Sequence, residues 1–208
     1  MATHKAKRPR NAAATREAIL HSALTAFSRH GYDGIGVREI AQSAGVNAVL
    51  VCRYFGCKED LFAAAVELAF ANSSLFEGDC NLLAQRFAND LIVKTDRGVE
   101  PTDPLLLLLR SAPNPRAAEI LRESIARRFE GPLQALLPGP NASKRAATIL
   151  ALMIGFSLYR KVLRSKALAD GCGASLCSDL TRMFQCLIDS PATPISPIRA
   201  SRAKRSAS

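Results

Sequence analysis

Arg53 is the side chain in this sequence best placed to act on a partner. It lies in Ala48–Phe55, AVLVCRYF, an apolar stretch with one cation. At about 100° per residue, Val51 and Phe55 fall within about 40° of each other and form the edge a helix would bury. Arg53 points the opposite way, with Val49 and Cys52 beside it. Such an arginine is either a solvated surface residue or a binding residue, and helical geometry leaves both open.

The other reactive residue types form no constellation. His4, His21 and His30 stand without an acid pair, a phosphate-cradling glycine loop or a nucleophile motif around them, so an enzyme is not expected. The six cysteines, Cys52, Cys57, Cys80, Cys172, Cys177 and Cys186, contain no CxxC pair and have no nearby histidine. No metal and no cofactor are expected. The N-terminal stretch MATHKAKRPRNAAATRE is basic and lacks an apolar core, so it does not read as a signal peptide. The cysteines therefore read as reduced thiols in a cytosol.

Charge separates the ends from the body. The 208 residues carry a net +10. Lys5, Lys7, Arg8 and Arg10 put +4 on residues 1–14. Arg199, Arg202, Lys204 and Arg205 put +4 on residues 191–208, leaving +2 for the 176 residues between. Basic ends of this kind suit an anionic polymer, and they also suit plain solubility. The hydrophobic fraction of 48% is enough for a core. The longest uncharged run, between Arg145 and Arg160, has 14 residues, short of the roughly 20 that cross a bilayer. No membrane partner is expected.

The elements that would position Arg53 all read as helices, and the fold class is all-α. Residues 1–14 read as a disordered basic arm. Thr15 is placed to cap a first helix carrying Ile19, Leu20, Ala23, Leu24 and Phe27, stopped at Gly31. Val37–Ala44 and Ala48–Phe55 form two short helices around Gly45, the second capped by Asn47, which together read as a helix-turn-helix. Gly36 is a poor cap for the first of them. Lys58 starts a fourth helix, with acids in its first turn. That helix is expected to continue over 61–76, and further helices are expected over 82–93, 105–110, 115–136, 143–165 and 174–188, with Asn141 or Ser143 capping the one over 143–165. Pro191, Pro194 and Pro197 mark residues 190–208 as a disordered basic tail.

The run Thr15–Phe62 resembles the DNA-binding domain of the TetR family of bacterial transcriptional regulators. The resemblance rests on "AFSRHGYDG", "VREIAQSAGV" and "YFGCKEDLF" in order and at matching spacings. It implies an N-terminal three-helix helix-turn-helix domain over 15–62, followed by a helical dimerisation and effector-binding domain over 63–189. It implies a recognition helix, Ala48–Phe55, in the major groove, with Arg38 at the groove edge and phosphate contacts from Asn47, Tyr54 and Lys58. Arg53 could then take a guanine through O6 and N7, and Val49 could touch a thymine methyl. Where many members carry small polar residues, Gly or Thr and then an aromatic, this chain has Ala48, Val49, Leu50 and Cys52. More base readout is therefore expected of Arg53 and Arg38.

The family also implies a homodimer on double-stranded DNA. Ala147, Ala151 and Gly155 recur every four residues, a stripe that lets a second helix approach closely. Leu180, Met183, Phe184 and Leu187 form a second stripe at i, i+3, i+4 and i+7. Both stripes also fit ordinary core. Lining for an apolar small-molecule effector is assigned to Phe70, Phe76, Phe87, Leu105, Leu108 and Phe129, again residues that core packing alone would explain. The resulting expectation is a repressor that binds a palindromic operator as a homodimer and is released by an effector. Two other readings fit the same residues. One is redox sensing through Cys52, with Cys57 beside a helix N-terminus that would lower its thiol pKa. The other is sequence-independent binding driven by the basic ends.

Overall fold

The computed structural model describes residues 12–71, 75–76, 79–168 and 173–189, and every regular element among them is helical. Residues 1–11 of the expected arm and the whole of the expected tail, 190–208, lie outside the described residues. The first helix starts earlier than its cap residue suggested. α1 runs Ala12–His30, so Thr15 is buried inside the helix and does not stand at its start. The run Ala12-Ala13-Ala14 has the highest helix propensity available and carries the helix past the threonine.

α2 (Val37–Ser43) and α3 (Ala48–Phe55) are joined by Gly45 in the left-handed region, φ 65°. The turn closes with Gly45 N–H donating to the Gln42 carbonyl at 3.0 Å and Val46 N–H to Ala41 at 2.9 Å. Gly36 has no capping side chain, and Glu39 compensates: its Oε2 accepts the Gly36 N–H at 2.7 Å. Asn47 caps α3 as expected, its Oδ1 accepting the Val49 N–H at 3.0 Å.

α4 (Lys58–Ala69) ends well before Phe76, where the sequence pattern had extended it. α5 (Leu83–Asp96) follows a short 3₁₀ turn at Cys80–Leu82. α6 (Pro104–Ser111) and α7 (Pro115–Ile125) each have proline in the first turn, capped by Asp103 and Asn114. The helix expected over 115–136 is interrupted by a π turn at Ala126–Glu130 before α8 (Gly131–Leu136). Pro132 has no N–H to donate four residues back, and the wider turn absorbs the fault. α9 (Ala142–Ser157) runs into a second π turn, Leu158–Val162. Asn141, left-handed at φ 58°, precedes α9 without a side-chain cap bond, so neither expected cap operates as read. α10 (Gly173–Asp189) closes the described chain.

Two cores result. The first joins α1–α4 through Ile19, Phe27, Ile40, Val51, Phe55 and Phe62, and it recruits Leu107 of α6 with Ala117 and Leu121 of α7. The second joins α5, α8, α9 and α10 through Phe87, Leu133, Ile149 and Phe184. The packing boundary therefore does not fall at Phe62, because α6 and α7 belong to the core of the helix-turn-helix. Arg145, buried in α9, ties the end of α10 down by donating to the Ile188 carbonyl at 2.7 Å and to that of Pro138.

Candidate nucleic-acid interface and helical cavity

α3 is held on one edge and bare on the other. Val51 and Phe55 are buried, while Cys52 and Arg53 are exposed and Val49 is 71% exposed. Ala48 and Tyr54 are half-buried at the border. Exposing valine and burying valine two residues apart on one short helix leaves an apolar-plus-cation face of the kind that reads base edges. Asn47 is exposed at the head of this helix, and Arg38 is exposed on α2.

Cations are placed by aromatic rings. The Lys58 ammonium lies 4.5 Å from the centroid of the Tyr32 ring, and the Arg16 guanidinium 4.7 Å from that of Phe55. Arg16 escaped the sequence reading, because nothing in the order of residues signals that α1 delivers it to the end of α3. The acids of this region are turned to structural use. Glu59 accepts the Tyr32 hydroxyl at 2.8 Å. That bond holds the Glu59 carboxyl below its ordinary range. Burial, followed by the Glu59 hydrogen bond, raises the Tyr32 hydroxyl above its own. Asp60 accepts the Cys57 thiol at 2.8 Å and the Cys57 N–H at 3.3 Å. The thiol hydrogen bond to Asp60 pushes the Cys57 pKa up, so the lowering expected from the helix N-terminus is reversed.

Of the expected effector lining, Phe70, Leu105, Leu108 and Phe129 face a cavity of about 490 Å³. Phe76 and Phe87 do not line it. Phe87 is core, stacked edge-on against Phe184 at 5.7 Å, and Phe76 packs at 6.3 Å from Phe87. The cavity wall also carries charge that the sequence did not reveal, with Asp90, Lys94, Arg97 and Glu100 among its lining. Asp103 and Lys161 both line it and pair as ions, both side chains largely buried. Asp103 Oδ1 meanwhile accepts the Leu105 N–H at 2.9 Å. The partners lie in α6's cap and in the second π turn, too far apart in sequence for periodicity to link them. Next to the cavity, Glu67 of α4 accepts from Ser124 at 2.5 Å and from Arg128 at 2.6 Å, and pairs with Arg127. Burial would raise the Glu67 carboxyl, and these donors together hold it below its ordinary range.

The two expected interface stripes fare differently. Ala147, Ala151 and Gly155 all lie on an exposed face of α9, extended by exposed Leu152 and Tyr159. On α10, Met183 is exposed and Leu187 half-buried. Leu180 and Phe184 are core, 6% and 1% exposed, and leave no area for a partner. The cause is α5, which packs along that face of α10 and takes both side chains into the second core. No helix among the described residues is long and apolar enough to cross a membrane.

Comparison with known proteins agrees with this architecture. Residues 19–65 match the family described as bacterial regulatory proteins, tetR family, and residues 82–188, more than half the chain, match the tetracyclin repressor-like C-terminal domain. The chain belongs to the TetR family of transcriptional regulators. Curated relatives are similar over a limited stretch. The regulatory protein RaaS of Mycobacterium tuberculosis is 51% identical over 43 residues, covering 21% of this chain and 20% of its own. RutR of Escherichia coli K12 is 40% identical over 60 residues, covering 29% and 28%. NicS of Pseudomonas putida, named a transcriptional repressor, is 33% identical over 75 residues, covering 36% and 35%. Solved structures share the fold over most of the chain. A TetR-family regulator of a Rhodococcus species superposes with a TM-score of 0.63 at 19% identity, covering 85% of this chain and 99% of that one. The multidrug binding protein EbrR, complexed with imidazole, superposes at 0.61 with 22% identity, covering 93% and 100%.

Proposed function

We propose that this protein is a repressor that binds a palindromic DNA operator as a homodimer, with α3 as its recognition helix. The observation that carries the reading is the exposed face of α3, where Val49, Cys52 and Arg53 stand opposite buried Val51 and Phe55. Arg53 reads a guanine and Arg38 supplements it at the groove edge. Asn47, Ala48, Tyr54 and Lys58 border the helix where phosphates would run, and the positive end of α3 adds its own attraction. Family membership supports DNA binding, and the repressor designation of NicS supports repression.

One recognition helix covers too few base pairs, so reading requires two copies about one helical turn of DNA apart. The exposed stripe Ala147, Ala151 and Gly155, with Leu152 and Met183, is the surface on which the copies meet. An effector enters the cavity between α4, α6 and α9. Two contacts would carry its effect to the DNA-binding helices: Phe70 and Phe129, stacked edge-on at 5.3 Å beside the Glu67 cluster, and α6, whose far end touches α1. An effector that binds the DNA-incompetent arrangement better would release the operator.

Selection of duplexes from a randomised pool at about 150 mM salt tests the reading, because screening removes most non-specific attraction. The expected product is a palindromic consensus. Binding without a consensus, lost as salt rises, would instead favour attraction by the basic ends. Peroxide sensitivity abolished by Cys52→Ser would favour redox control.

A further inference from the structure

We propose that Arg16 is a phosphate-binding residue of the DNA interface, set in place by the ring of Phe55. The proposal rests on the DNA-binding reading above and adds a contact from α1, which that reading does not use. Arg16 stands exposed in the second turn of α1. Its guanidinium lies 4.7 Å from the centroid of the Phe55 ring. Phe55 is the last residue of α3, two positions after Arg53. The fold thus carries a cation from α1 to the end of the recognition helix.

The charge on Arg16 is uncommitted. A ring attracts a cation through its electron density and offers no acceptor oxygen, so the N–H donors of the guanidinium keep their capacity. No acid pairs with Arg16 among the described residues. Glu17, its neighbour in the chain, stands 3.8 Å from His21. Glu59 and Asp60, the acids that follow α3, accept from Tyr32 and Cys57. From Met1 to Arg16 the sequence holds Lys5, Lys7, Arg8, Arg10 and Arg16 and no acid, so nothing along this run opposes an anionic polymer.

Position selects phosphate over base. Arg53 stands on the exposed face of α3, while Phe55 lies nearly opposite, on the edge packed into the first core. A cation above Phe55 therefore stands back from the base edges. The major groove is about 8.5 Å deep, and a helix with its side chains is about 10 Å across. With α3 on the groove floor, the phosphates of the rim reach the level of its rear edge, where Arg16 stands. A guanidinium there meets phosphate as a planar fork, two N–H donors to two oxygens.

Fluorescence anisotropy of the full chain across salt concentrations tests the proposal, on a duplex of mixed sequence and on the duplex that selection returns. Arg16→Gln should lower the slope of log affinity against log salt by about one on each duplex. Between about 50 and 200 mM salt, that variant should lose about threefold less affinity than the wild type. Arg16→Ala, a second neutral variant, should do the same, and Arg16→Lys should keep the slope. Duplexes with one phosphate at a time replaced by a neutral methylphosphonate locate the contact. One position per half-site should weaken the wild type and leave Arg16→Gln unchanged. An unchanged slope in both neutral variants, an equal loss of slope in Arg16→Lys, or a loss confined to the selected duplex would each overturn the proposal. So would a phosphate scan in which the wild type and Arg16→Gln respond alike at every position. A chain that selects a consensus yet keeps its full slope without Arg16 overturns this inference alone. A chain that selects no consensus, yet loses one unit of slope on mixed-sequence DNA in Arg16→Gln, overturns the operator reading alone.

Discussion

Arg110, in the last turn of α6, donates a 2.6 Å hydrogen bond from Nη1 to the carbonyl of Ser28 in the last turn of α1. α6 thus borders the cavity through Leu105 and Leu108 and grips the first helix of the DNA-binding core at its other end. The same contact is tight in the backbone. Gly31, at φ 73°, sits where a Cβ would lie 2.3 Å from the Arg110 carbonyl oxygen.

Gly31→Ala should therefore destabilise the chain by more than about 2 kcal/mol, from the left-handed backbone and the clash combined. A urea titration checks this, and an unchanged midpoint would mean that α1 and α6 do not meet as described.

Arg110→Ala should cost about 1 kcal/mol of stability, the worth of a partly exposed charge-assisted bond. Its larger effect should be on coupling. Operator affinity without effector should stay near wild type, and the effector concentration that releases DNA should rise. Fluorescence anisotropy on a labelled operator reads both.

Arg53→Ala should weaken cognate operator binding by roughly 1–3 kcal/mol and relax specificity at one base position per half-site. Lys58→Ala should weaken all sequences alike and lower the salt slope by about one. A uniform loss from Arg53→Ala would demote it to a phosphate contact.

Stability should fall at both ends of the pH scale around one pair, Tyr32 and Glu59: at low pH by loss of their hydrogen bond, and at high pH because burial first, and that bond second, disfavours ionised Tyr32. Glu59 is held below its ordinary pKa, so its contribution is present above about pH 4.3 and is lost as pH falls through the lower folded value. Tyr32 is raised, so its contribution is present below about pH 10 and is lost as pH rises above that. Tyr32→Phe should lower the melting temperature at neutral pH and flatten both limbs of the profile. Glu67, also held low, should preserve part of the acid limb in that variant.

Ala151→Glu should leave the fold intact, because Ala151 is exposed, and should yield a monomer in light scattering. The same variant should lose operator affinity at low protein concentration and recover part of it as concentration rises. A dimer that persists would move the interface away from this face of α9.

Local order along the chain was enough for the helix-turn-helix. Val51 and Phe55 share a face by helical period, Asn47 caps α3 by its own chemistry, and Gly45 makes the turn because it tolerates a positive φ. These interactions span a few residues, so sequence spacing determines them. The apolar lining at Phe70, Leu105, Leu108 and Phe129 could be nominated by composition, though not separated from core residues such as Phe87. What folding alone decided were contacts between distant elements. It set Arg16 over Phe55, brought Asp103 to Lys161, and gave Leu180 and Phe184 to the core while leaving Ala151 and Met183 outside. Each apolar stripe on a helix can be satisfied by several neighbours, and only the simultaneous packing of α5, α9 and α10 determines which neighbour covers it. A buried ion pair likewise has no period in the sequence, because its two charges are joined by the fold and not by the chain.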